Sequence, residues 1–115
     1  MAYTDVDSFK SFGTNFQNCV LQAALIDREF FEKSFEVLKE EYFTSEAHKT
    51  IWLEIRKLFN KYNGPPSYEI LKTEIAQYPE GELKESTINV LLDIETKVNR
   101  QEIEYAKDKS LEFCK

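Results

Sequence analysis

Apolar side chains recur with a helical period between residues 43 and 62. Ile51, Ile55 and Leu58 follow an i, i+4, i+7 spacing, which places them on one face of a helix. Charged residues occupy most of the other face, so the apolar face must be buried against neighbouring elements. The segment is predicted to be the central helix of the fold. Its apolar stripe comprises Ile51, Ile55, Leu58, Phe59 and Tyr62.

Both ends of this helix carry recognisable boundary residues. Thr44 or Ser45 could cap the start by accepting a hydrogen bond from a free backbone N–H. The sequence Asn-Gly-Pro-Pro at 63–66 would end the helix, with Gly64 taking a positive φ and the prolines unable to continue it. A helix is therefore predicted from the cap to about Tyr62.

The same patterning predicts five further helices, at residues 14–26, 29–38, 68–77, 82–98 and from about 100 onward. Ser67 and Asn99 are suitable caps, and no strand-like alternation persists anywhere. The predicted fold is all-α, a compact bundle of about six short helices. The predicted core residues are Val20, Leu25, Phe43, Ile51, Trp52, Ile55 and Leu58. Buried positions on the later helices are predicted at Ile70, Leu71, Ile75, Leu83, Ile88, Leu91, Leu92 and Val98.

The last helix carries apolar residues that do not form one stripe. Because they are scattered around the helix, one small head cannot bury all of them, and leftover apolar surface is typical of a partner site. They are the candidate protein interface. These residues are Ile103, Tyr105, Leu111 and Phe113.

Composition narrows the possible partners. The net charge is −6, with 42% hydrophobic and 31% charged residues, as in an ordinary globular protein. An acidic chain with interleaved charges is not expected to bind nucleic acid strongly. No apolar run is long enough for a membrane span, and the first residues lack the pattern of a signal peptide, so a cytoplasmic location is expected.

No catalytic constellation can be assembled from the sequence. Lys72-Thr73 lacks the preceding glycine of a phosphate-binding loop, and the chain has only three glycines. His48 is the sole histidine and is expected to be a packed or capping residue. Cys19 and Cys114 are too isolated for a zinc or redox motif. We expect no enzymatic activity, no cofactor and no metal, which leaves an assembly domain or a small adaptor as the open alternatives.

Several segments, taken in order, resemble the N-terminal domain of DnaB-type replicative helicases. The pattern of an aromatic residue, a histidine, an Ile–aromatic pair and a later leucine is present as Phe43, His48, Ile51, Trp52 and Leu58. It is preceded by CVLQAALID and EFFEKSFEVL and followed by GPPSYEIL. The resemblance covers residues 16–115 and is strongest to the helicases of T-even-like phages.

The resemblance implies a non-catalytic domain that forms a collar above the motor ring, aids subunit association and contacts the primase. It makes residues 99–115 the first helix of a hairpin or collar element that follows a globular head at 14–98, with weak self-association through the candidate interface as the expected behaviour. The weak apolar periodicity of residues 1–13, which Gly13 closes, predicts a mobile arm. The resemblance also implies a bacterial or phage-infected host cell. The alternative is a self-contained helical adaptor or regulator, for example one encoded by a phage, that binds a protein partner.

Overall fold

The computed structural model describes residues 13–96 and 99–113, with side chains as far as residue 110. These ranges contain helices and no strand, which confirms the predicted all-α fold. The expected arm, apart from Gly13, lies outside the described residues. The helices are α1 (Thr14–Ile26), α2 (Arg28–Ser34), a short 3-10 turn (Glu40–Tyr42), α3 (Glu46–Tyr62), α4 (Tyr68–Ala76), α5 (Glu82–Thr96) and α6 (Arg100–Phe113).

Four helices begin at a polar side chain that accepts a hydrogen bond from the backbone N–H three residues later. Ser45 caps α3, Ser67 caps α4 and Asn99 caps α6, as the sequence predicts. Asp27 plays the same role for α2, at 3.0 Å from the N–H of Phe30. Asp27 therefore starts a new helix at the break that follows α1.

The end of α3 differs from the prediction in one residue. Asn63, not Gly64, takes the left-handed conformation, with φ 59° and ψ 37°. Its N–H bonds the carbonyl of Phe59 at 2.7 Å. Asparagine tolerates this conformation better than most residues with a side chain, so it can close the helix itself.

Helix α2 is shorter than predicted and ends at Ser34. The Ser34 hydroxyl donates to the carbonyl of Phe30 at 3.0 Å, a local bond that competes with regular helix geometry. The chain then turns, so that Leu38 is buried and its carbonyl accepts a hydrogen bond from Trp52 Nε1 at 2.9 Å. A Trp on α3 thus fixes the segment that follows α2.

Helix α1 packs against α2, α3, α5 and α6, whereas α3, which the sequence predicts to be the central helix, packs against α1, α4 and α5. The centre of the bundle is therefore shared by α1 and α3. Six of the predicted core residues are at most 2% exposed, and Leu25 is half-buried at the edge of the cluster. The fully buried six are Val20, Phe43, Ile51, Trp52, Ile55 and Leu58.

The predicted inward faces of α4 and α5 were partly wrong. Leu71, Ile75 and Leu91 are buried, whereas four other predicted positions are largely exposed. On α5 the inward face also includes Thr87 and Ile94. Thr87 can be buried because its hydroxyl donates to the carbonyl of Leu83 at 2.6 Å. Val98 lies outside the described residues, and the exposed four are Ile70 (48%), Leu83 (44%), Ile88 (39%) and Leu92 (51%).

Candidate protein-interaction surface

The start of α6 is fixed to α1 through one carboxylate. Glu102 accepts hydrogen bonds from the amide of Asn99 at 2.8 Å and from the amide of Asn15 at 2.7 Å. Asn99 is the cap of α6, and Asn15 lies in the first turn of α1. The thiol of Cys19 approaches the same carboxylate at 3.9 Å. Burial, with Glu102 adding to the effect, raises the pKa of Cys19 to about 11, so this residue is a protonated thiol and not a nucleophile.

A second attachment lies further along α6. Lys107 Nζ is 2.7 Å from Asp27 Oδ2, while the other oxygen of Asp27 caps α2. The hydrogen bond from Lys107 lowers the pKa of Asp27, and the same bond raises the pKa of Lys107. Both groups are therefore charged at neutral pH, and the pair joins α6 to the junction of α1 and α2.

These contacts decide where the predicted interface residues lie. Ile103 is only 8% exposed and belongs to the core, which corrects the expectation that a partner could bind it. Ala106 and Ser110 lie on the same buried face. Tyr105 is 52% exposed, with its ring edge-on to Phe16 at 6.5 Å between centroids. The side chains of the other two, Leu111 and Phe113, lie outside the described residues.

His48 links the start of α3 to α1 and is buried. Its Nε2 lies 2.6 Å from Asn18 Oδ1, and its Nδ1 lies 2.6 Å from the Ser45 hydroxyl. Because the Asn18 oxygen can only accept, the ring carries its proton on Nε2 and accepts a hydrogen bond from Ser45 at Nδ1. Both nitrogens are used in packing the two helices, so His48 is a structural residue.

An open ridge runs along the outer side of α5. Glu85, Ile88, Leu92 and Glu95 follow an i, i+3, i+7, i+10 spacing and are all exposed, so they share one helix face. Two aliphatic side chains are thus bounded at each end by a carboxylate. We call these four residues the acidic ridge. The sequence shows the spacing directly, but Ile88 and Leu92 were assigned to the core because they are apolar.

A second open feature connects α3 with α2 and with Phe35, the residue that follows α2. Arg28 lies over the ring of Phe59 at 6.0 Å, the rings of Phe59 and Phe35 are 5.5 Å apart, and Arg56 lies over Phe35 at 4.8 Å. Both rings are half-buried on the fully buried Phe31. We call the four residues Arg28, Phe59, Phe35 and Arg56 the arginine–phenylalanine row. No sequence spacing reveals it, since it depends on how α2 packs on α3.

Comparison with known families gives one match that extends over most of this architecture. The family model of the DnaB-like helicase N-terminal domain matches residues 13–107, from the start of α1 to the middle of α6. The chain belongs to this family. No curated protein and no solved structure matches the chain significantly.

In this DnaB-like domain, the residues that carry the resemblance serve the fold. Phe43 and Trp52 contact each other at 5.5 Å between ring centroids. Ile51 and Leu58 belong to the same buried cluster, and His48 joins two helices. The motif therefore specifies how α3 is packed, and no residue of it is exposed as a reactive group.

Within residues 13–96 and 99–110, no three side chains of the His, Cys, Asp and Glu types converge as metal ligands would. No helix in the described ranges is long and apolar enough to cross a membrane.

Burial of His48 gives a testable pH dependence. Burial lowers the pKa of His48 below its usual 6.5, an effect that the nearby carboxylate of Asp93 partly opposes. Since the unfolded chain then takes up the proton more readily, the free energy of unfolding is highest above pH 6.5 and falls as the pH drops below that value. The fall stops once the pH is below the pKa of the folded state.

Denaturant melts between pH 7.5 and 5.5 would measure this effect. His48→Gln retains hydrogen-bonding groups but cannot take up a proton, so its free energy of unfolding should change less over this range. Most carboxylates titrate nearer pH 4 and contribute little there. Equal pH slopes for the two proteins would contradict the assignment of a neutral, buried His48.

Proposed function

We propose that this DnaB-like domain is a non-catalytic assembly head of a hexameric replicative DNA helicase, of the type found in T-even-like phages. The family match over residues 13–107 carries the proposal. The head would associate subunits and contact the primase. Its histidine and its buried cysteine support a structural role, because each is engaged in packing between helices.

Association of subunits can be tested by light scattering on the helicase motor domain with and without this head attached. The attached head should increase the fraction of motor domains found in rings at a given concentration. If both forms have the same number of subunits per particle at every concentration, the assembly role is excluded and the adaptor alternative is favoured.

Contact with the primase is a separate part of the proposal. Titration calorimetry of the 115-residue chain against the primase of the same replication system should give saturable binding, with ATP as a ligand that gives none. A chain that does not bind the primase would contradict this part, and saturable binding of ATP would contradict the non-catalytic role. The same experiment with a Tyr105→Ser variant tests whether the exposed side of α6 takes part.

We also propose that α6 begins a hairpin that pairs between subunits. The described part of α6 packs on α1 through Ile103 and Ala106, so the pairing surface would lie on the opposite side, with Tyr105, and further along the helix at Leu111 and Phe113. Replacing Leu111 and Phe113 with serine should then weaken association between subunits, while the helical signal in circular dichroism stays unchanged. Unchanged association would contradict the hairpin.

A further inference from the structure

The acidic ridge has two carboxylates available for a partner. Glu85 and Glu95 are exposed, and neither forms an ion pair with another residue in the described ranges. Between them, Ile88 and Leu92 expose 39% and 51% of their surface. An exposed apolar pair bounded by free charges has the composition of a small interface, apolar at its centre and polar at its rim.

The arginine–phenylalanine row is positively charged where the acidic ridge is negatively charged. Like the ridge, it has two apolar side chains between two charged ones. Arg56 has no carboxylate partner among the described residues, and Arg28 uses only its Nε for Glu32, at 2.9 Å. The remaining guanidinium N–H groups of both arginines are available to accepting oxygens. Arg56 stacks closely on Phe35 at 4.8 Å, which lowers the entropy that it loses when a carboxylate binds, while Arg28 lies further from its ring, at 6.0 Å.

The row is better suited to a protein than to a nucleic acid. Each ring already has a guanidinium over one face, while its other contacts are with neighbouring phenylalanines. A base would have to displace these groups in order to stack on the rings. The edges of Phe35 and Phe59 can still receive aliphatic side chains, with a carboxylate at each end.

The greatest length that the row can have is compatible with the length of the ridge. The guanidinium of Arg28 is 6.0 Å from the ring of Phe59, the two rings are 5.5 Å apart, and the guanidinium of Arg56 is 4.8 Å from the ring of Phe35. The total of these three distances is the greatest possible distance between the two guanidinium groups. Ten residues of helix separate Glu85 from Glu95, a rise of ~15 Å at ~1.5 Å per residue. If the row is straight, a helix laid along it would place its two carboxylates near the two arginines while Ile88 and Leu92 cover the phenylalanines.

We propose that the acidic ridge of one copy binds the arginine–phenylalanine row of a second copy. The contact joins two different surfaces, so each bound copy still has one surface of each kind free, and further copies can add to form a ring or a filament. This inference rests on the proposed role in subunit association and specifies its surfaces. The net charge of −6 on each copy opposes association, so the isolated chains associate weakly.

A charge-swap experiment on the 115-residue chain tests the contact. One variant carries Arg28→Glu and Arg56→Glu, and the other carries Glu85→Lys and Glu95→Lys. Sedimentation velocity should show concentration-dependent association of the unmodified chain. Each variant alone should lose ~10-fold or more in association constant, the order expected for removing close charge pairs across an interface. An equimolar mixture of the two variants should recover association, because reversed row and reversed ridge are again complementary.

A matched control changes charge elsewhere by the same amount. Lys39→Glu with Lys72→Glu also lowers the net charge by four, at two exposed lysines outside both surfaces, and should associate more strongly than the row variant. Circular dichroism should show that all variants remain helical.

Two results would overturn the proposal: an unmodified chain that is monomeric at hundreds of micromolar, or a mixture of variants that fails to recover association. Either result leaves the proposed function standing if attachment of the head still increases ring formation by the motor domain in the light-scattering experiment. If attachment of the head has no such effect, the proposed function and the proposed contact are both rejected.

Discussion

Replacing Trp52 with alanine is expected to lower the free energy of unfolding by ~3–5 kcal/mol, the usual cost of removing a large buried aromatic side chain. Trp52 is fully buried, and its ring contacts Phe31 and Phe43 at 5.5 Å each. Its Nε1 also satisfies the carbonyl of Leu38 at 2.9 Å. The alanine variant loses both the packing and this hydrogen bond, so the segment between α2 and α3 is destabilised too.

Urea denaturation followed by circular dichroism would measure the loss. Trp52→Phe is the matched control, because it retains most of the ring volume and removes only the N–H donor. It should therefore lose less stability than the alanine variant. If Trp52→Ala costs under ~1 kcal/mol, far below the expected range, the central packing described here is wrong.

Introducing a carboxylate at Ala106 is expected to be comparably damaging. Ala106 is 0% exposed on the side of α6 that packs against α1. Ala106→Asp would leave a buried charge without a partner, which costs ~3–5 kcal/mol in comparable sites. The protein should respond by detaching α6, with loss of the Lys107–Asp27 contact and faster amide exchange throughout that helix.

Gln101→Asp provides the control for this experiment. Residue 101 is exposed on the same helix, so its substitution should change the free energy of unfolding by less than ~0.5 kcal/mol. If Ala106→Asp is equally mild, α6 does not depend on α1, and Ile103 would again be available to a partner.

The helices could be predicted from the sequence because their signals are local. Ser45, Ser67 and Asn99 each begin a helix as expected, since a capping side chain bonds an N–H only three residues away. The core face of α3 could also be predicted at Ile51, Ile55 and Leu58, because these residues form one stripe. The predicted stripe was wrong at its end, where Tyr62 is 64% exposed. Asp27 carries the same capping signal and was overlooked.

The inward face of α5 could not be predicted by the same rule. Leu83, Ile88, Leu91 and Leu92 point in several directions around the helix, and only packing selects Leu91. Packing of α5 against α3 and α4 settles the choice, and on the α4 side the Tyr68 hydroxyl also donates to the backbone carbonyl of Leu91 at 2.9 Å. Hydrophobicity alone cannot distinguish a core residue from an apolar residue left for a partner.

The candidate surfaces illustrate the same limit. Ile103 was expected at an interface and is instead buried in the core of the domain. The arginine–phenylalanine row joins two residues at the start and end of the α2 region to two residues of α3. Arg28 and Phe59 are 31 positions apart along the chain, and Phe35 and Arg56 are 21 apart. Such a surface exists only after the helices have packed, so a periodic pattern cannot reveal it.

The central claim is that this DnaB-like domain promotes assembly and takes no part in ATP chemistry. Native mass spectrometry and ATP turnover, measured on the same samples of motor domain with and without the head, would test it most directly. We predict that removing the head lowers the fraction of complete rings while turnover per assembled ring stays unchanged. Two results would contradict the claim: motor domains that form as many complete rings without the head as with it, or rings without the head that turn over ATP more slowly per ring.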